Sequence, residues 1–520
     1  MYIGIGNIFD HQLVHSYPVG YSASDGFWHL ISTMQVYEAG SYKYLPDYLE
    51  AGYKDVVGFQ PPLLFQLGAV FAHLTNIPVY DSLYLVVCFF LVLGVICIYL
   101  VIRDFNEKVA ILAMPLTLFL FFSNFQIGIL FGQVNFYLGS FFLCAMALLL
   151  VKKNIKYSWL LLSIILAATA MAHTSEYIFG VGFVILYGTW LYVHKEREVA
   201  RGLAQALGLS LVIASYYLII FEGTFGRVTG SNYLQNLGKV FSTAGFKIAY
   251  FADFGFLAYV IVIGIVCWLF LKKKFHLSFL FAGYMLIVGF SNYVGLYTRS
   301  FQTRFFWPVY LSIFFGLAIY QLARFVVIKK IFYFLIGVAF ITIFLYYFAQ
   351  LGGAYGLMNE YHYDADTWIR DNTPKDAKVL FFYGDSFDQS GQLPLTHRQS
   401  YLVYINDYVA SLKDGKLRRN YFIKHIFNVD LGLIYRKTWF TFASHQSEDN
   451  VTFEMQRDIC QFDYLIFDKQ SYYAPELVNA NLAIVNYMLR NRTAVVAHDN
   501  PLTVILHRTS KDCFPWEGLK

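Results

Sequence analysis

From residue 82 onward the chain alternates apolar runs with short polar breaks, and ten runs have membrane-crossing character. They lie near 82–102, 109–123, 134–151, 157–173, 176–194, 203–221, 254–271, 276–292, 305–323 and 331–349. Several are shorter than the roughly 20 residues a perpendicular helix needs, so these helices are expected to run on into flanking aromatic sequence. An earlier run, Val57 to Thr75, is also apolar. Pro61-Pro62 near its start and its short length predict a helix lying along the outer interface. The alternative, a crossing, would leave the first 56 residues in the cytoplasm.

Past residue 356 the pattern changes. Strand-like runs such as Lys378-Val379-Leu380-Phe381-Phe382 and Phe462-Asp463-Tyr464-Leu465-Ile466-Phe467 alternate with helical stretches around 361–371 and 475–490. That alternation predicts a small α/β domain. The expected architecture is a polytopic α-helical membrane protein in three regions: an extracytoplasmic loop with interfacial helices (1–80), a bundle of about ten spans (81–351), and a C-terminal extracytoplasmic α/β domain (352–520).

Charge gives the orientation. The breaks at 103–108, 152–156, 195–201, 272–274 and 324–330 together hold 14 Lys and Arg. The alternate set holds five: Arg227, Lys239, Lys247, Arg299 and Arg304. The excess of positive charge places the first set in the cytoplasm, and parity then puts both the opening loop and the tail outside. A prokaryotic cell membrane is the expected location.

Composition agrees. Hydrophobic residues make up 58% of 520 positions and charged residues 14%, which excludes an ordinary soluble domain. A net charge of +5, mostly in short loops, speaks to topology and not to nucleic acid. Cys88, Cys97, Cys144 and Cys267 lie in apolar segments and read as packing residues, whereas Cys460 and Cys513 in the tail are able to pair.

Candidate chemistry clusters on the outer side. Asp25 and His29, in Ser24-Asp25-Gly26-Phe27-Trp28-His29, are four apart and share a helical face. They suit a general base and its neighbour, or Asp25 simply caps the helix through Trp28 and Ile31. His173-Thr174-Ser175-Glu176 marks the meeting of two spans, with Thr174 or Ser175 as cap and Glu176 either dipole-favoured in the first turn or part of a substrate site. Asp253 is a similar case. Arg299 and Arg304 break the positive-inside trend; each is a fork suited to phosphate, or a snorkelling interfacial arginine.

Read in order, these segments resemble GT-C-type glycosyltransferases, including oligosaccharyltransferase catalytic subunits and polyprenyl-phosphate-sugar-dependent enzymes. The resemblance is carried by Ser24–His29, Glu38-Ala39-Gly40-Ser41-Tyr42, Phe59-Gln60-Pro61-Pro62-Leu63 and Asn76-Ile77-Pro78-Val79. Further along it is carried by Gly132-Gln133-Val134-Asn135-Phe136-Tyr137, Thr303-Arg304-Phe305-Phe306-Trp307-Pro308 and the Trp368–Val379 segment opening the tail. Family members begin with a span ahead of the outer loop, which this sequence is expected to lack. The resemblance implies that Asp25 is the catalytic or metal-binding carboxylate and that Arg304, with Arg299, meets the lipid-linked phosphate.

One departure bears on mechanism. Oligosaccharyltransferases carry acidic metal ligands where this chain has Gln133 and Asn135, and no acid lies between Asn124 and Asn135. A hard divalent cation wants several oxygen ligands, carboxylates among them. The expectation is therefore a metal-independent, inverting transfer without a cofactor, from a polyprenyl-phosphate sugar to a lipid, glycan or protein acceptor. Asp25 acts as base, and His29, Glu176, Arg299 and Arg304 bind substrate. A non-catalytic relative that binds lipid-linked glycan or scaffolds a surface assembly is the alternative. A transporter ranks last, because the spans are nearly free of ionisable side chains.

Overall fold

The structure, a computed structural model, describes residues 14–21, 24–41, 61–121, 123–130, 132–152, 157–228, 249–291, 300–326, 329–349, 358–383, 393–403, 420–425, 434–438, 441–445, 454–470 and 475–512. Of the sequence expectations, those on Arg299, Cys513, Tyr42 and Phe59-Gln60 fall outside these residues.

Two helices precede the bundle. The first, α1 (Ser24–Ala39), buries Phe27, Trp28, Leu30 and Ile31. The second, α2 (Leu63–Thr75), buries Leu64, Phe65, Gly68, Ala69 and Ala72, one stripe of a helix. Its 13 residues rise about 20 Å, short of the ~30 Å hydrocarbon core. Asn76, left-handed at φ 57°, ends it and returns its N–H to the Ala72 carbonyl. His73 stacks on the Tyr37 ring at 4.0 Å, joining α2 to α1.

The apolar runs are helical at the expected places. They form α3 (Val79–Phe105), α4 (Glu107–Thr117, continued by a 3-10 turn to Phe121), the short α5 (Ile127–Leu130), α6 (Val134–Val151), α7 (Ser158–Ala172), α8 (Thr174–Val193), α9 (Arg197–Val228), α10 (Leu257–Leu269) and α11 (Leu277–Gly289). Among the described residues four helices are long and apolar enough to cross a membrane: α3, α6, α8 and the Arg197–Leu218 part of α9. The chain is an integral membrane protein.

The run expected at 305–323 is not one helix. It is three pieces, α12 (Ser300–Phe305), α13 (Trp307–Tyr310) and α14 (Ser312–Phe325), followed by α15 (Lys329–Ala349). Pro308 is the second residue of the middle piece, in the first turn where its missing N–H costs no intrahelical bond. The break sets Gln302 and Arg304 on a short helix of their own.

The two ends of the bundle carry different elements. At one end Asp104 meets Lys152 at 3.1 Å and His276 at 3.5 Å, which brings together the breaks at 103–108 and 152–156 and the start of α11. The other end carries α1, α2 and the C-terminal domain.

That domain is a seven-stranded sheet in the order β6-β3-β2-β1-β7-β9-β8. Its strands are β1 (Lys378–Phe382), β2 (Gln399–Val403), β3 (Asn420–His425), β6 (Glu454–Asp458), β7 (Tyr464–Asp468), β8 (Ala494–Asp499) and β9 (Thr503–Arg508), with β4 (Ile434–Thr438) and β5 (Thr441–His445) as a separate hairpin. β1 runs parallel to β2 and β7, and the outer pairs are antiparallel. Because side chains alternate faces along a strand, Val379 and Phe381 pack with Ile369 of helix α16 (Glu360–Asn372). Leu380 and Phe382 pack with Leu477 and Ile484 of α17 (Pro475–Arg490) on the other face. The result is the expected α/β domain. Cys460 is disulfide-bonded. Two contacts seat the domain near α1: the Tyr363 ring meets Tyr80 edge-on at 6.0 Å, and His397 stands 3.9 Å from Glu38.

Candidate active site

Asp25 lies in the first turn of α1, where the helix dipole favours a carboxylate, and it is exposed. Its Oδ2 accepts a 2.7 Å hydrogen bond from Nε2 of Gln133, the residue capping the start of α6. The Gln133 carbonyl oxygen accepts in turn from Nε2 of Gln302 on α12. Gln302 is buried, as are Thr303 and Arg304 beside it.

His29, one turn along α1, dips into the bundle and is buried. Its Nδ1 faces the Asn135 amide at 3.5 Å, the long edge of hydrogen bonding, and its ring tilts against Phe65 at 5.6 Å. Burial first, and His173 second, push its pKa down to about 3. His29 is therefore neutral at physiological pH, a polar wall group and not a cationic partner.

His173 and Glu176 form a buried hydrogen-bonded pair at the junction of α7 and α8. The expected cap is corrected here. Neither Thr174 nor Ser175 takes the N-cap position; His173 does, with extended backbone, and the Thr174 hydroxyl lies 3.3 Å from the Tyr217 hydroxyl. Asp253 accepts from the Tyr250 backbone N–H in a capping box, which gives it a local structural role.

Arg304 is fully buried, with its guanidinium carbon 5.5 Å from the centre of the Tyr250 ring. That is cation–π geometry inside the protein and not a snorkelling arginine at the membrane surface. Thus Asp25, Gln133 and Gln302 are linked across α1, α6 and α12, His29 meets Asn135, and His173 pairs with Glu176. Arg304 follows Gln302 by two residues on α12 and meets Tyr250, while Arg299 lies outside the described residues. The sequence reading missed Gln302, Tyr250 and the positive role of Gln133. The available signal was a glutamine two residues ahead of an arginine in an otherwise aromatic segment.

Among the described residues, the groups bonded to one another around Asp25 are mostly amides and not the carboxylate-rich set a hard divalent cation prefers. They are one carboxylate, three side-chain amides and a buried neutral imidazole, with an amide N–H turned toward the carboxylate. Among the described residues no group of three His, Cys, Asp or Glu is arranged to hold a metal ion.

No family model matches the chain, and no curated protein matches it in sequence. Solved structures match it in fold. The apo oligosaccharyltransferase of Archaeoglobus fulgidus aligns over 93% of this chain and 76% of its own, at 13% identity and a TM-score of 0.54. The same archaeon's oligosaccharyltransferase AglB, solved with an inhibitory peptide and a dolichol-phosphate, aligns over 97% and 88%, at 12% identity and a TM-score of 0.55. ArnT from Cupriavidus metallidurans, bound to undecaprenyl phosphate, aligns over 95% and 94%, at 12% identity and a TM-score of 0.53. The fold is that of GT-C-type glycosyltransferases.

Proposed function

We propose that the protein is an inverting membrane glycosyltransferase that moves a sugar from a polyprenyl-phosphate donor to an acceptor outside the membrane, without a metal. The observation that carries this reading is the exposed carboxylate of Asp25, joined through two amides to the helix that bears Arg304. The fold neighbours solved with dolichol-phosphate and undecaprenyl phosphate support a lipid-phosphate donor.

In the proposed step Asp25 takes the proton of the acceptor hydroxyl as its oxygen forms a bond to the anomeric carbon. The bond from that carbon to the phosphate oxygen breaks on the opposite face. Its electron pair leaves with the polyprenyl phosphate, whose charge Arg304, together with Arg299, offsets. His29 and Glu176 line the sugar side. Oε1 of Glu176 and Oδ1 of Asn135 are buried acceptors without a hydrogen-bond partner among the described residues, and sugar hydroxyls would satisfy them.

Turnover of a radiolabelled polyprenyl-phosphate sugar by the purified protein, with chelator present, tests the reading. Transfer supports it. Lipid-phosphate binding with no transfer from any donor contradicts it and favours a non-catalytic binder.

A further inference from the structure

Two uncharged side chains join the ends of the candidate site, and their orientation is set by one charge. An ionised carboxylate only accepts hydrogen bonds, so Gln133 must turn its NH2 toward Asp25 and its oxygen away. That oxygen then takes the N–H of Gln302, two residues ahead of Arg304 on the six-residue α12. Gln302 is 3% exposed and Arg304 0%, so this end of the chain of bonds is shielded from water.

The backbone connects the same parts. Gly132 has φ +73°, and a Cβ there would stand 2.2 Å from the Gly26 nitrogen, one residue past Asp25. Only glycine lets the turn before α6 press so closely on α1. At the other end of this turn a Cβ at Gly128 would stand 2.8 Å from the ring of Phe305, the neighbour of Arg304. The turn is wedged between the helix of the carboxylate and the helix of the arginine.

We propose that Gln133 and Gln302 are positioning residues, an amide relay that fixes the Asp25 carboxylate and ties its placement to the helix of Arg304. Seating a donor phosphate at Arg304 then also sets the base. The proposal rests on the transferase reading of Asp25 and Arg304. Gln302 acts through Gln133, and Gln133 through the Asp25 carboxylate it holds. Phosphate seated at Arg304 favours the set carboxylate, and by reciprocity of binding the set carboxylate favours phosphate, so cutting the relay weakens phosphate binding; the effect on rate is a separate readout.

The test uses full-length protein carrying Gln133→Met, Gln302→Met, or both, substitutions that keep side-chain length and remove polarity. Folding is checked by unfolding temperature in detergent, and two quantities are read. One is binding of undecaprenyl phosphate alone; the other is kcat and donor KM for transfer. Gln133→Met should lower kcat about 10- to 100-fold, the scale of a lost hydrogen bond to a charged group, with a smaller change in KM. It should also weaken undecaprenyl phosphate binding several-fold. The double variant should be no worse than Gln133→Met by either readout, since Gln302 acts only through Gln133. Losses that multiply, or a Gln133→Met enzyme with wild-type kcat and binding, would overturn the relay. Should the Met variants not fold, Gln302→Glu keeps the shape but cannot donate to Gln133, and unchanged kcat there overturns it equally. A protein that binds undecaprenyl phosphate yet turns over no donor defeats the transferase reading alone. The binding cycle then still decides the relay, a non-multiplying pattern supporting it and independent effects overturning it.

Discussion

Asp81 takes two hydrogen bonds from His15, one from the backbone N–H at 2.8 Å and one from ring Nδ1 at 2.9 Å. The pair is nearly buried. Two tyrosines reinforce it: Tyr80 donates to the His15 carbonyl at 2.6 Å, and Tyr21 to the Tyr80 carbonyl at 2.8 Å. The segment leading into α1 is thus pinned to the first turn of α3, and Asp25 follows four residues after Tyr21.

Asp81→Ala should therefore loosen the lead-in to the candidate base. It leaves two donors without their acceptor, at a cost of about 1–3 kcal/mol each where water does not replace it. A lower unfolding temperature in detergent and a reduced kcat are expected together. Wild-type values for both would show that the pair does not hold the segment.

Arg304 is expected to bind by its planar fork and not by charge alone. Its burial against Tyr250 suits a guanidinium, which is weakly hydrated and stacks on aromatic faces. Arg304→Lys keeps the charge yet should weaken binding of undecaprenyl phosphate about tenfold, and Arg304→Ala should weaken it further. Direct binding measurements on the three proteins check this; equal affinity for all three would remove Arg304 from the phosphate site.

Buried neutral His29 makes stability pH-dependent with a definite sign. Its pKa is about 3 in the folded protein and near 6.5 when unfolded, so below pH 6.5 the unfolded chain binds the proton that the folded one refuses. Stability from this group is fully present above pH 6.5 and falls as pH drops toward 3, approaching ~1.4 kcal/mol per pH unit. His397, pushed down to about 4 chiefly by burial, has the same sign, so the comparison must be between proteins that share it. His29→Gln should flatten the unfolding-temperature profile between pH 6.5 and 4 relative to wild type. Parallel profiles would mean that His29 is not buried as described.

The helices and the α/β domain were legible because their signals are local. Apolar runs, alternating Lys-rich breaks and the strand pattern at Lys378–Phe382 depend on neighbours in sequence. The site was legible only at its charged members. Asp25 and Arg304 stand out in apolar surroundings, but the contacts that organise them do not. Gln133 meets Asp25 across 108 residues and Gln302 meets Gln133 across 169, and an amide gives no charge signal to mark it. Glutamine at position 133 read as a lost acid, whereas in the fold it holds the Asp25 carboxylate. Arg304 illustrates the same limit. An arginine at the mouth of a span either snorkels or turns inward, and the broken helix 300–325 decides for the interior. Thr174 and Ser175 are good caps by residue type, yet the chain places His173 at the cap, where its ring reaches Glu176.

In the proposed transfer Asp25 is the base and no metal takes part. The direct measurement is transfer from a panel of radiolabelled polyprenyl-phosphate sugars by purified protein, wild type beside Asp25→Asn, with and without chelator. Wild-type transfer is expected to be indifferent to chelator, and Asp25→Asn to lose about 10²- to 10⁴-fold with folding and undecaprenyl phosphate binding retained. Equal transfer by the two proteins, or wild-type transfer abolished by chelator, would contradict the proposal.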